Sequence, residues 1–384
     1  MMKHEIFPLG LATGEYFCNR VEERKWLSNH LKKNRHTLIT SPRRYGKSSL
    51  VTVVLKSEKH IYAKIDYFVA LNAKIIEEQL LAGVEELFTK TSGKVQQIIN
   101  ELKDYLKRSQ WVIGIRGVGL ALIPKEGSDP ATNIKEALQA LERYLAKKKK
   151  SAILFIDEFQ ELGILPEAKS IEGAIRHVAQ ESRYLTFVFS GSNRHILSNM
   201  FDDRSRPLYM LCSRIALERI NEKDYIAFLN KFAIKTWGVK LPEDTCDEIF
   251  RVTERHPYYM NVLCNYLWEN HEDSPVPPAA ELVKKYWTNY VQTEKFRIAK
   301  ELSNLSFGQR NVLTAIANGF VSQLTSRKFQ QLINLSGASI VKILKNLEDG
   351  DFIGKKQDST YFIIDPLLKF SLQLYYKEML VIND

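Results

Sequence analysis

Cysteine is scarce: Cys18, Cys212, Cys246 and Cys264 are the only four in 384 residues, with no Cys-x-x-Cys pair and no nearby histidines. That spacing argues against a disulfide framework or a zinc site and favours buried free thiols. No apolar stretch approaches the roughly 20 residues needed to cross a bilayer, so no membrane segment is expected. The N-terminus carries Lys3 but also Glu5, Pro8 and Gly10, a poor secretory signal, and the expected compartment is the cytoplasm. Internal repeats and long low-complexity tracts are absent too. What remains is ordinary for a globular chain, 45% hydrophobic and 26% charged, and long enough for two or three domains.

The net charge of +10 is unevenly spread. Residues 1–150 hold 27 Lys and Arg against 16 Asp and Glu, hence +11, while residues 301–384 carry only +1. Lys32, Lys33, Arg35, Arg43, Arg44 and the Lys147–Lys150 run contribute to that excess. Part of it suits a polyphosphate; the rest is a solvated face or a weak polyanion surface.

Residues 36–50 read as a short β-type run breaking into a loop, Ser41-Pro42-Arg43-Arg44-Tyr45-Gly46-Lys47-Ser48-Ser49. This is the G-x-x-x-x-G-K-[ST] phosphate loop except that Ser41 stands at the first glycine. Gly46 lets backbone N–H groups approach phosphate as an anion nest. Lys47 is placed for the β- and γ-phosphates, the Ser48 hydroxyl for Mg2+, and the helix starting there adds its dipole. Serine at position 41 forms the turn only if φ is negative there. A bare Gly-Lys-Ser is also a frequent accident, so a Ser/Arg-rich surface turn remains open on this motif alone.

A second motif decides between the two. Ala152–Ile156 is a continuous apolar run ending in Asp157-Glu158. Such runs fit a strand buried on both faces of a parallel sheet, with the carboxylates at its ligand-binding edge. Asp157 is then the Mg2+ carboxylate, acting through the metal's water shell, and Glu158 polarises the water attacking the γ-phosphate. A third β-type run, Leu185–Phe189, ends in Ser190-Gly191-Ser192-Asn193, which taken alone is an ordinary turn.

The order Pro-Arg-Arg-Tyr-Gly-Lys-Ser-Ser-Leu, Asp-Glu-Phe-Gln-Glu-Leu, Phe-Ser-Gly-Ser resembles the prokaryotic "archaeal ATPase" family, a STAND-like branch of the AAA+ ATPases near the origin-recognition initiators. Phe17–Glu23 resembles the segment before the phosphate loop near the adenine, which implicates Asn19 and Arg20. Arg206-Pro207-Leu208-Tyr209 resembles a Ser-Pro-Leu-Tyr segment after the sensor strand. Arg255-His256-Pro257-Tyr258-Tyr259 resembles the Gly-His-Pro-Tyr-Tyr of a helical lid, whose proline (Pro257) packs by the base, and Asp365-Pro366-Leu367-Leu368 a closing Asp-Pro-Leu-Phe. The match runs nearly end to end. It implies an α/β, AAA+-type P-loop NTPase core with a parallel sheet (1–217), an α-helical lid (218–300) and a C-terminal winged-helix domain (301–384). It implies ATP or ADP with Mg2+ as cofactors and a homo-oligomer in the ATP state. Ser190 and Ser192 become γ-phosphate sensors, with Asn193 in reserve, and Arg206 and Arg214 become arginine-finger candidates. Surface arginines, or partners for Asp202 and Asp203, remain an equal reading of those two. Ser41 and Arg255 both replace family glycines, while Lys47, Ser48, Asp157 and Glu158 are all in place, so hydrolysis is expected, slowed if anything.

The segment 60–150 predicts a second strand over Ile61–Phe68, helices over Ile75–Phe88 and Val95–Leu106, a β-type pair around Trp111–Ile123 and an amphipathic helix over Ile134–Leu145. A fifth strand is expected at Ile215–Leu217, just after Arg214. Helices follow from Asn221 onward, interrupted at Asp273–Pro278. The last 80 or so residues predict helices at Gln309–Asn318 and Ser326–Ile333 and a third with Ile340, Ile343, Leu344 and Leu347 on one face. A wing hairpin follows, with Lys355-Lys356 at its tip. Lys342, Lys345, Asn346, Lys355 and Lys356 are positioned for DNA, yet a module of net +1 lacks the basic footprint of a DNA reader. Winged helices also serve as protein docking modules, so a protein partner stands open and DNA is not favoured; an initiator-type DNA-binding ATPase whose winged helix contacts DNA is the alternative reading. A P-loop kinase fits the lid and the C-terminal module poorly.

Overall fold

The computed structural model describes residues 6–92, 95–106, 111–116, 119–356 and 358–376. They form two compact units: one of residues 20–43 and 47–217, the other of the described residues up to Asn19, residues 44–46 and the chain from Glu218 onward.

The first unit is built on strands β1 (Thr37–Thr40), β2 (Ile61–Asp66), β3 (Trp111–Arg116), β4 (Gly119–Pro124), β5 (Ala152–Asp157), β6 (Leu185–Gly191) and β7 (Ser213–Ala216). Five of them make one sheet in the order β2-β5-β6-β1-β7, every pair parallel. The expected parallel core is borne out, with β6 seated between β1 and β5. All residues of β5 and β6 are buried, as a sheet covered on both faces requires. Phe155, Phe187 and Phe189 fill it without solvent exposure. The β3–β4 hairpin is a separate antiparallel pair, and its turn residues 117–118 lie outside the described residues. β2 stops at Asp66 rather than Phe68, because the Asp66 carboxylate accepts the Phe68 N–H at 3.0 Å and closes a 3-10 turn over Tyr67–Val69. β7 begins two residues early, so Arg214 lies within it.

In the second unit the Glu222–Trp237, Glu243–Thr253, Pro257–Glu269 and Ala280–Thr293 helices pack around aromatic side chains. Phe7 inserts among them, 4.8 Å from the Trp268 ring, and Asn265 and Asn261 donate to the Phe7 and Pro8 carbonyls at 2.7 Å each. The C-terminal module follows: helices Phe307–Ala317, Arg327–Ile333 and Gly337–Asp349, then strands β8 (Ile353–Lys355) and β9 (Tyr361–Ile363) as an antiparallel wing. Ser306 and Gln309 form a reciprocal cap on the first helix. Of the four residues whose spacing predicts one buried face of the third, Ile340, Leu344 and Leu347 are buried and Ile343 is partly buried against the same core. A helix over Pro366–Tyr375 closes the module. Among the described residues no helix is long and apolar enough to cross a membrane.

Two of the segments that resemble the family's meet inside this unit. The Tyr259 hydroxyl donates to Asp365 at 2.7 Å, while Asp365 caps the last helix by accepting the Leu367 and Leu368 N–H groups. Beside them Glu254 accepts Arg219 at 2.6 Å and also pairs with Lys369, and Arg219 donates onward to the Ile364 carbonyl at 3.1 Å. The Tyr-Tyr and Asp-Pro segments thus join the lid helices to the winged helix.

Candidate functional site

β1, β5 and β6 are adjacent and end together, which gathers the small polar residues that follow them. β1 runs into the loop Ser41–Gly46, and the Lys47–Ser57 helix starts at its end. Ser41 is buried and is not among the residues with positive φ; the left-handed positions of this loop are Arg44 (φ 63) and Gly46 (φ 88). Serine at the first position therefore costs no backbone strain. Its hydroxyl donates to the Pro42 carbonyl at 3.0 Å. The buried Lys47 ammonium donates to the Ser41 and Pro42 carbonyls, both at 3.2 Å. Arg43 and Arg44 are exposed, Ser49 is buried. Arg44–Gly46 group with the second unit, where the Arg44 guanidinium lies 4.0 Å over the Tyr258 ring and the Tyr45 ring lies 4.8 Å from buried His256.

Asp157 is the last residue of β5, and four groups hold it. Oδ2 accepts the Ser48 hydroxyl at 2.5 Å and lies 2.9 Å from the Lys64 ammonium. Oδ1 accepts the Ser190 hydroxyl and, at 3.2 Å, the Glu158 N–H. Burial pushes this carboxyl up, but Lys64, Ser190 and Ser48 outweigh it and hold it below its ordinary value. Glu158 takes the left-handed conformation, φ 49, an uncommon posture for a non-glycine residue that turns its side chain off the strand. Oε2 of Glu158 accepts Gln160 Nε2 at 2.6 Å and the Ser192 hydroxyl at 2.9 Å.

Gln160 was not legible as a site residue, yet it ties the edge together, since its Oε1 also accepts the Ser192 N–H at 3.2 Å. It explains the glycine in Ser-Gly-Ser: a Cβ on Gly191 would come within 2.1 Å of that carboxamide oxygen. Lys64 was missed as well; its only signal is a lysine between the apolar Ala63 and Ile65 of β2.

The remaining candidates lie as follows. Asn193 caps the Arg194–Asp202 helix by accepting the Ile196 N–H at 3.0 Å. Asn19 and Arg20 both have positive φ, and buried Arg20 pairs with Glu23 at 2.9 Å. Pro257 is the first residue of its helix. Arg206 pairs through two nitrogens with Glu172, a fully buried carboxylate of the Ala168–Glu181 helix. One turn on, Arg176 donates to the Pro207 and Tyr209 carbonyls, so the Pro-Leu-Tyr segment is pinned to that helix. Arg214 is exposed and pairs with exposed Asp202.

Ser48 and Asp157 present a hydroxyl and a carboxylate oxygen within hydrogen-bonding distance, hard oxygen donors of the type that suits Mg2+ completed by phosphate and water. No group of three or more His, Cys, Asp or Glu side chains placed to hold a metal exists among the described residues.

Comparison with known proteins bears on the family and the fold. The profile of a family described as an ATPase domain predominantly from Archaea matches residues 17–263, and that of a probable winged helix domain matches residues 298–374. A Walker-type ATPase of Pyrococcus abyssi is similar in structure, with a TM-score of 0.70 at 18% identity over 96% of this chain and 100% of that one. The ORC2 protein of Aeropyrum pernix, solved as ADPNP–ADP complexes, has a TM-score of 0.60 at 17% identity over 98% and 96%. At these identities the likeness is one of fold. No curated protein matches the sequence.

Proposed function

Because the chain belongs to the family of ATPase domains found predominantly in Archaea, we propose that it binds ATP and ADP with Mg2+ and hydrolyses ATP, as a STAND-like switch whose output module is the winged helix. In this reading residues 1–217 are the AAA+-type core, 218–300 the lid and 301–384 the output module. The observation that carries it is the hydrogen-bonded row of Ser48, Asp157, Ser190, Glu158 and Ser192, beside Lys47, at the ends of three adjacent strands.

Each residue has a definite task there. Lys47 leaves the Ser41 and Pro42 carbonyls for the β- and γ-phosphates, a charge-assisted contact that water does not replace. Ser48 and Asp157 would hold Mg2+, which neutralises charge developing on the phosphate oxygens. Glu158 accepts the proton of the attacking water, and Gln160 and Ser192 keep its carboxylate aimed. Ser190 and Ser192 sense the γ-phosphate. Asn19, Arg20 and Pro257 serve the base. Of the two arginines, Arg214 is the better finger, in an ATP-state homo-oligomer, because its partner is exposed and exchangeable, whereas Arg206 is committed to buried Glu172.

For the winged helix we favour a protein partner. Exposed Lys342, Lys345, Asn346, Lys355 and Lys356 support DNA as the second reading, and a steeply salt-dependent gel shift would promote it. The principal test is phosphate release. Glu158→Gln should still bind ATP while turnover falls by roughly 10²-fold or more, and Lys47→Ala should lose binding. The same assay over a range of protein concentrations reads Arg214→Ala; turnover indifferent to both substitution and concentration removes the finger.

A further inference from the structure

The cation at the metal edge has no place in the reaction just described. Lys64 sits on β2, opposite Phe155 of β5, while Asp66 is opposite Asp157. Its ammonium lies over the Phe155 ring, 5.5 Å from the ring centre, and 2.9 Å from Asp157 Oδ2. The Ser48 hydroxyl reaches that same oxygen at 2.5 Å, whereas Oδ1 is occupied by Ser190 and the Glu158 N–H. Ammonium and hydroxyl therefore converge on the one carboxylate oxygen that meets the phosphate loop. The Asp157 side chain is 4% exposed and that of Lys64 35%. A carboxylate so buried needs a compensating charge, and a partly solvated lysine can supply it and still swing away.

We propose that Lys64 is a built-in counter-cation, which pairs with the Asp157 carboxylate and orients it, and which competes with Mg2+ for Oδ2. This rests on the nucleotide-site reading above. A divalent ion arriving between Ser48 and Asp157 meets an ammonium already on its ligand. Like charges this close repel strongly in a site of low effective dielectric, so the lysine must move aside as metal and nucleotide enter together. Lys64 is thus a positioning residue that sets the metal dependence of the site.

Binding of a fluorescent ADP, titrated with Mg2+ from an EDTA-treated start, tests this on the full chain as wild type, Lys64→Met, Lys64→Gln and Lys64→Arg. Bound Mn2+ counted by electron paramagnetic resonance is the second readout, independent of turnover. The half-saturating Mg2+ concentration should fall about tenfold in both neutral variants, the size expected for removing one nearby like charge, and return to the wild-type value in Lys64→Arg. Their melting temperatures should also rise more on adding Mg2+ and ADP than the wild-type value does. ADP binding with an unaltered Mg2+ midpoint in Met and Gln would refute the competition and leave the nucleotide site standing. So would weaker ADP binding in EDTA with that midpoint unmoved, because Lys64 would then be a phosphate ligand. Failure of the wild type to bind ADP at all would overturn both readings.

Discussion

The strand edge of the first unit and the lid–winged-helix seam of the second hold similar numbers of charged groups and treat them differently. At the edge, Asp157 and Glu158 are held by hydroxyls, one carboxamide, one backbone N–H and one partly solvated lysine. Each of these partners can be exchanged for phosphate, metal or water at modest cost. In the seam, Glu254 is answered by two full cations and Asp365 by a tyrosine and two helix N–H groups. That cluster is closed on itself. The lesson is that a carboxylate whose partners are mostly neutral hydroxyls and a partly solvated lysine is poised for a ligand, whereas one like Glu254, answered by two cations, is there to join elements.

If this contrast is right, seam substitutions should move stability and spare the chemistry of the strand edge. The largest effect is expected for Glu254→Ala, which strands Arg219 without its carboxylate. Breaking a largely buried pair costs about 3 kcal/mol, read by urea unfolding, whereas the fluorescent ADP affinity of the folded fraction should be unchanged. A large affinity loss without a stability loss would reverse the assignment of the two regions.

An acid-dependent effect comes next. His256 is buried beside Arg219 and Arg44, and burial, then those cations, depress its pKa to about 3. The unfolded chain takes up this proton first, near the ordinary value of 6.5. The contribution is therefore intact above about pH 6.5 and is lost as pH falls towards 3, at about 1.4 kcal/mol per pH unit. His256→Phe should unfold with a shallower pH slope between 6.5 and 4 than the wild type, and identical slopes would exclude the histidine as the cause. His36, also depressed by burial, is present in both proteins and cancels in the comparison.

The smallest effect separates the two sites where glycine is replaced. Arg255 adopts φ 59 whereas Ser41 is not left-handed, although the sequence shows the same departure at both. Relief of left-handed strain, less the entropy glycine adds to the unfolded chain, should make Arg255→Gly more stable by about 0.5 kcal/mol. Its long ion pair with Glu222, at 3.8 Å on the surface, contributes little. Ser41→Gly should give no gain; stabilisation there, with none at Arg255, would contradict the backbone account.

Much of this was legible in the sequence because it is local. Apolar runs ending in small polar residues gave β1, β5 and β6, and the spacing of Ile340, Leu344 and Leu347 gave the third winged-helix face. What escaped depends on partners far along the chain. Gln160 matters only because β6 brings Ser192 to it, and Lys64 only because β2 pairs with β5. Glu172 and Arg176 acquire their role when the Arg206–Tyr209 segment folds onto their helix, and nothing near Tyr259 announces Asp365. The extent of β2 was overread because Tyr67 and Phe68 continue a β-like pattern that the Asp66 turn cuts short.

The central claim is that the edge of the parallel sheet is a working ATP site with Glu158 as its base. Its most direct test is a single-turnover experiment with radiolabelled ATP and Mg2+ on wild type and Glu158→Gln, measuring bound nucleotide and released phosphate in the same sample. The account predicts equal ATP binding and release slowed by roughly 10²-fold or more in the variant. Release at the wild-type rate, with binding intact, would contradict it.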